Sequence, residues 1–231
     1  MSLRTRDTEI VELMDDPACD PELLAATLRR FELVNRLVAG WGVVYRRHLR
    51  PHLGQLGRPA RVLDIGSGGG DVLTRLASYA ARDGFGVQWI GIDPDPRALA
   101  VAAERRHPNM SFRCATSADL RADGEVFDAV VSNHVLHHLD AAELHAFTGD
   151  SLALSSGPVL HADIARGRLA YALYTVGVTP FAPGTFLRTD GLRSIRRSYR
   201  PAELVDALAG HGEWRVTAPV PFRLLAVGTG S

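Results

Sequence analysis

Apolar residues in this chain recur first at helical spacing, and then in short runs that alternate with helical stretches. Asp20-Pro21 opens a segment with Leu23, Leu24, Leu28, Phe31, Val34, Leu37 and Val38, close to the i, i+3, i+4 pattern of an amphipathic helix. An Asp followed by Pro is a helix-start signal. Gly40 and Gly42 interrupt the pattern. Val43 to Leu53 then predicts a second short helix ending before Gly54, with Pro51 within or beyond its end. Residues 1–57 are expected to form a helical cap packed on the remainder of the chain.

From Arg58 the rhythm changes. Strands are predicted at Ala60–Ile65, Val87–Ile92, Ser111–Ala115, Phe127–Ser132 and Gly157–Ile164, with helices over Asp71–Arg82 and Arg97–Arg106. Strands alternating with helices of this length imply a parallel sheet covered on both faces. Trp214–Thr217 and Phe222–Thr229, joined by Ala218-Pro219-Val220-Pro221, break the alternation as a hairpin and add an antiparallel edge. The fold class is therefore α/β, a Rossmann-like doubly wound sheet of seven strands. Residues 166–199 are too long for a simple connection and form a lid candidate.

Composition narrows the function. The 26 basic residues are balanced by 26 acidic ones, and every basic residue is Arg. Zero net charge argues against a nucleic-acid partner, and no stretch has the length and apolarity of a membrane span. Cys19 and Cys114 lack metal-type spacing, so neither a zinc site nor a disulfide framework is expected. The acidic, interrupted N-terminus does not resemble a signal peptide, and a cytoplasmic protein is expected.

The richest signal is Val62-Leu63-Asp64-Ile65-Gly66-Ser67-Gly68-Gly69-Gly70. A Gly-rich strand-to-helix turn lets backbone approach a ligand closely. A dinucleotide fingerprint would need Gly or Ala where Asp71 stands, and it leaves Asp64 unexplained. A ligand carrying an ammonium group accounts for Asp64 better than a pyrophosphate does. Asp93, followed by Pro94, ends the second strand where a carboxylate can accept from ribose hydroxyls. Asp119 offers an acceptor for an adenine amino group beside the apolar Leu120, and Asn133 ends the fourth strand.

These motifs, in this order, resemble the class I S-adenosylmethionine-dependent methyltransferases over residues 58–165, and the hairpin is similar to that family's last strands. The resemblance implies S-adenosylmethionine as cofactor, Asp64 and Gly66, Ser67, Gly68 and Gly70 near its methionyl part, Asp93 and Pro94 at the ribose, Asp119 and Leu120 at adenine, and Asn133 lining the site. It divides the chain into the cap and a methyltransferase domain over 58–231, with the lid at about 166–199. Phe127 to Leu139, containing Ser132-Asn133-His134-Val135-Leu136-His137-His138, is similar to the fourth-strand motif of quinone-biosynthesis-type small-molecule methyltransferases. The cap, core and Arg188-Thr189-Asp190-Gly191-Leu192-Arg193-Ser194 together resemble bacterial enzymes of polyketide or quinone pathways.

Methyl transfer to a hydroxyl asks the protein to position the nucleophile and to deal with its proton. Candidate catalytic residues are His134, His137 and Asp163. His138 and His161 are further candidates, and His161 shares a side of the fifth strand with Asp163. The bland alternative is that the His run seats a helix on the sheet. Lid residues Leu169, Tyr171, Leu173, Tyr174, Val176, Val178, Phe181 and Phe186 suit a small, hydrophobic or aromatic acceptor, and an O-methylated phenol or quinol is expected. Arg188, Arg193, Arg196, Arg197 and Arg200 are expected to be solvated or paired with acidic groups. Asn35-Arg36 is a candidate for the cofactor carboxylate and Tyr45 for covering the site. No metal site is expected. The competing readings are a non-catalytic S-adenosylmethionine-binding protein and an NAD(P)-dependent oxidoreductase.

Overall fold

The computed structural model describes residues 3–105 and 107–230. Its centre is a sheet of β1 (Ala60–Ile65), β2 (Val87–Asp93), β3 (Met110–Cys114), β4 (Ala129–Asn133), β5 (Pro158–Ile164), β6 (Arg215–Thr217) and β7 (Arg223–Thr229). The spatial order is β3-β2-β1-β4-β5-β7-β6. The first five strands run parallel, and β7 inserts antiparallel between β5 and β6. The winding direction reverses between β1 and β4, the place where open α/β sheets bind ligands.

Around the sheet lie α1 (Pro21–Val38), α2 (Trp41–Val44), α3 (Arg50–Leu56), α4 (Asp71–Arg82), α5 (Pro96–Ala102), α6 (Ser117–Ala122), α7 (Ala141–Ala153), α8 (Arg168–Gly177), α9 (Leu187–Arg197) and α10 (Pro201–Leu208). Period-2 alternation sends neighbouring residues of each strand into opposite cores. Val62 packs with Leu73, Leu76, Trp89 and the cap residues Trp41, Val44 and Leu49. Leu63 packs with Ile90, Leu136, Leu144 and Leu204 on the other face. Burial on both faces is why these strands read as continuous apolar runs.

The predicted strands are present with small shifts at their ends. Phe127 makes an isolated bridge to Ser155 ahead of β4. The helix predicted to reach Arg106 ends at Ala102, and Arg106 itself lies outside the described residues. The second cap helix is longer than predicted: α2 and α3 are joined through a π-helical segment, Tyr45–Leu49, and Gly57 caps the end in the left-handed conformation. Pro51 supplies the reason. It has no N–H and its ring crowds the preceding turn, and the wider turn ahead of it absorbs the mismatch. The lid consists of α8, a 3-10 turn at Thr179–Phe181, and α9; α10 comes after it, a helix that the apolar pattern does not predict.

The N-terminal segment is a strap across the lid. Asp190 accepts from the backbone N–H groups of Leu13 and Met14. Arg193 and Arg197 donate to the carbonyls of Val11 and Ile10, and Arg196 pairs with Asp7. Three of the lid arginines expected to be solvated or paired with acids therefore hold the strap, two of them chiefly through backbone carbonyls. No helix among the described residues is long and apolar enough to cross a membrane.

Candidate active site

A cavity of about 1150 Å³ opens at the carboxyl ends of β1, β2, β4 and β5. One end is the Gly-rich turn. Gly66 has φ +71°, and a Cβ there would stand 2.6 Å from Val135 Cγ2, so only glycine lets the turn fold against the segment after β4. Asp64, Gly66, Ser67, Gly68, Asp93, Pro94 and Asn133 line the cavity. The Asp93 carboxylate is aimed by two backbone N–H groups, those of Gly68 and Asp95, each at 2.9 Å.

This end is acidic. Burial raises the Asp64 carboxyl well above its ordinary value, and the neighbouring Asp71 and Asp93 add to the effect. Burial likewise raises Asp71 and Asp93. Asn35 donates to Asp71 at 2.9 Å, but Asp64 Oδ1 has no partner among the described residues. A buried carboxylate with an orphaned oxygen, beside two more carboxylates, is a receptor for a cation.

Not every predicted residue is brought here. Gly70 is absent from the cavity lining; with φ +72° it forms the N-cap of α4. Asp119 is exposed, and its carboxylate is engaged in a capping box with Thr116. Leu120 is fully buried in the core. Neither lines the cavity, so the adenine role expected of this pair has no support from the arrangement. Arg36 is exposed and also lies off the cavity. Tyr45 is turned away, donating to Asp83.

The histidines separate by environment. His137 is 1% exposed. Its Nδ1 bonds Asp163 at 2.7 Å and its Nε2 bonds Glu12 of the strap at 3.2 Å, so both ring nitrogens donate and the ring is an imidazolium. Burial opposes that charge, but the two carboxylates overcome it and push the pKa up to about 9. Held in this way, the His137 ring has no lone pair free to take a proton. Asp163 is similarly committed: burial would raise its pKa, yet His137 holds it well below the carboxylate range. It also accepts from the backbone N–H groups of His137 and Ile164.

His134 is held in the left-handed region at φ 64°. Its Nε2 is 2.6 Å from Arg223 Nη1. A guanidinium only donates, so this nitrogen accepts and the ring is neutral, with its proton on Nδ1. Burial, reinforced by the Arg223 charge, keeps its pKa well below the ordinary value. His134 thus has no free lone pair in this arrangement either. His161 lies in the core between Phe147 and Trp214, bonded to Ser132, and burial lowers its pKa to about 3. His138 lies 3.2 Å from Asp15. Glu12, His137 and His138 offer three ligand atoms within 4.8 Å of one another, a cluster now occupied by its own hydrogen bonds.

Sequence reasoning missed Glu12, Ser194 and Arg223. Ser194 donates to Glu12 at 2.7 Å. Arg223, 3% exposed, lines the cavity beside Asn133 and His134. A polar residue inside an apolar run, Glu12 between Val11 and Leu13 and Arg223 between Phe222 and Leu224, was the available signal.

The strand order, the glycine turn at the switch point and the carboxylates on β1 and β2 define a class I methyltransferase fold. A family model described as a methyltransferase domain matches residues 62–153. Over 157 residues the chain is 32% identical to a ubiquinone biosynthesis O-methyltransferase of Rhizobium etli, a match covering 66% of this chain and 59% of that protein. A protein of the same description from Azorhizobium caulinodans is 28% identical over 204 residues, covering 79% and 74%. In fold the chain resembles a plantazolicin methyltransferase solved with a triazolic desmethylPZN analogue and SAH (TM-score 0.63, 12% identity, 95% and 97% of the two chains). It also resembles the magnesium protoporphyrin IX methyltransferase of Synechocystis with SAH (TM-score 0.52, 18% identity, 88% and 84%). The likenesses are thus to methyltransferases throughout, and the chain spans about three fifths of the length of the Rhizobium relative.

Proposed function

We propose that this protein transfers a methyl group from S-adenosylmethionine to the oxygen of a small phenol or quinol. The observation that carries the reading is the continuity of the cavity. A single cavity is lined both by Asp64, Gly66, Ser67, Gly68 and Asp93 and by Phe31, Leu173, Tyr174 and Phe181, with Leu28 packed directly on the glycine turn. The first set suits a nucleoside with an ammonium group, and the orphaned Asp64 oxygen is a site for that cation. The second is apolar and aromatic and suits a flat hydrophobic acceptor. The likeness to ubiquinone biosynthesis O-methyltransferases supports the oxygen acceptor.

When bound, the cofactor supplies an electrophilic methyl group. This chain's residues do the rest. Asp64 and Asp93 hold the cofactor's polar groups, Asn133 borders the space between the two ends, and the cap and lid exclude water. Positioning alone accounts for a large part of such catalysis. Calorimetric titration with S-adenosylmethionine and SAH tests the first half: saturable binding is expected, weakened at least tenfold in Asp93→Ala. Mass detection of methylated product from a panel of phenols and quinols tests the second. Binding of NADH in place of S-adenosylmethionine would overturn the reading.

A further inference from the structure

We infer that Arg223, flanked by His134 and Asn133, forms an oxyanion subsite that takes the acceptor oxygen in its ionised form. This deepens, and rests on, the reading of the acceptor as a phenol or quinol.

Arg223 opens β7 opposite Ile164 of β5 and is 3% exposed. Among the described residues no carboxylate lies within ion-pairing distance of it. Its partners are neutral: His134 Nε2 at 2.6 Å and Asn133 Oδ1 at 2.7 Å. Neutral acceptors orient a guanidinium without cancelling its charge. Two of its five N–H donors are used in this way, and Nε has no partner among the described residues. Trp41 Nε1 also donates to Asn133 Oδ1, at 3.1 Å, fixing the amide from the cap side. Burial lowers the Arg223 pKa to about 10, partly offset by the field of Asp163, so the group remains a cation at neutral pH.

The charged and titratable groups facing this spot are few. Asp163 on β5 is spent on His137. His137 is itself a cation, and His134 is neutral. A buried cation without a counter-charge is costly, and an anionic ligand would recover that cost. The backbone is strained on both sides of the guanidinium: His134 and Phe222 are the two positive-φ non-glycine residues among those described, at 64° and 63°, and both line the cavity. Strain of this kind persists where the surroundings enforce a geometry.

The subsite also accounts for deprotonation without a histidine. His134 and His137 lack a free lone pair, so neither can pull a proton from the acceptor. A fixed cation beside the hydroxyl does the work differently, by favouring the charged form. As the acceptor enters, its O–H bond breaks, the electron pair stays on oxygen facing Arg223, and the proton passes to water still present at the cavity mouth. The oxygen is then a nucleophile without a dedicated base.

The test reads ionisation directly. 4-Nitrophenol and 4-nitrocatechol, whose phenolates absorb in the visible, are titrated with pH on the SAH-saturated protein. Wild type is expected to raise the acceptor's ionisation constant about tenfold or more; Arg223→Met abolishes the shift, and Arg223→Lys keeps part of it. SAH affinity stays within about twofold in both variants, which also reports that they fold. If Arg223→Met fails to fold, wild type and Arg223→Lys carry the comparison. No shift on wild type, no binding of either probe, or loss of SAH binding in a folded variant would overturn the subsite, the last by giving Arg223 to the cofactor's carboxylate. A shift without any methyl transfer would instead refute the proposed function and leave the subsite standing.

Discussion

His137 links the strap to the sheet through its charge. Its pKa rises from about 6.5 to about 9 on folding, so its contribution is fully present below about pH 6.5 and is lost as pH climbs through 9. Glu12 and Asp163 have lowered pKa values, and their contribution is present above the ordinary carboxylate range and lost on acidification. The three groups together therefore favour a mid-range pH. The alkaline arm is on the order of 3 kcal/mol. Melting temperature followed from about pH 7 to about pH 9 should fall more steeply in wild type than in His137→Gln; parallel curves would show that the imidazolium does not form.

At the level of elements, the lid depends on how closely its two helices approach. Gly191 of α9 sits against the Tyr174 ring of α8, and the Tyr174 hydroxyl donates to the Leu187 carbonyl at 2.7 Å. A methyl at 191 has no room, so Gly191→Ala should cost about 1–3 kcal/mol and weaken acceptor binding more than SAH binding. Equal loss of both would mean that the lid does not separate the two ends of the cavity. The contrast between lid and sheet also shows what a sequence can reveal. The strands and the turn at Gly66 were readable because their signals are local: alternation, β-branched runs and a glycine cluster. The carboxylates Asp64 and Asp93 were legible from their places at strand ends. The histidines were legible as candidates, but not their protonation, which is set by Glu12 and Arg223, 125 and 89 residues away in sequence. The strap was invisible for the same reason, since its partners in α9 have no counterpart in its own spacing.

For the molecule as a whole, the cavity gathers three acidic side chains at the glycine turn, Asp64, Asp71 and Asp93, and carries Arg223 beside Asn133. A ligand filling the acidic end should tie the β1–β2 side to the cap through Asp64, Asp71 and Asn35. Saturating SAH at about a hundredfold its Kd should add about 2.7 kcal/mol and raise the melting temperature by several degrees, an effect lost in Asp93→Ala. An unchanged melting temperature would mean that the folded protein does not take this ligand. The strap carries a different consequence. Asp7 and Leu13 meet Arg196 and Asp190, contacts spanning most of the chain, and closing loops of that length is slow. The strap can dock only once α9 has formed, so this wall of the binding cavity is completed by contacts between residues 177 apart in sequence. A docked strap thus reports that α9 is in place.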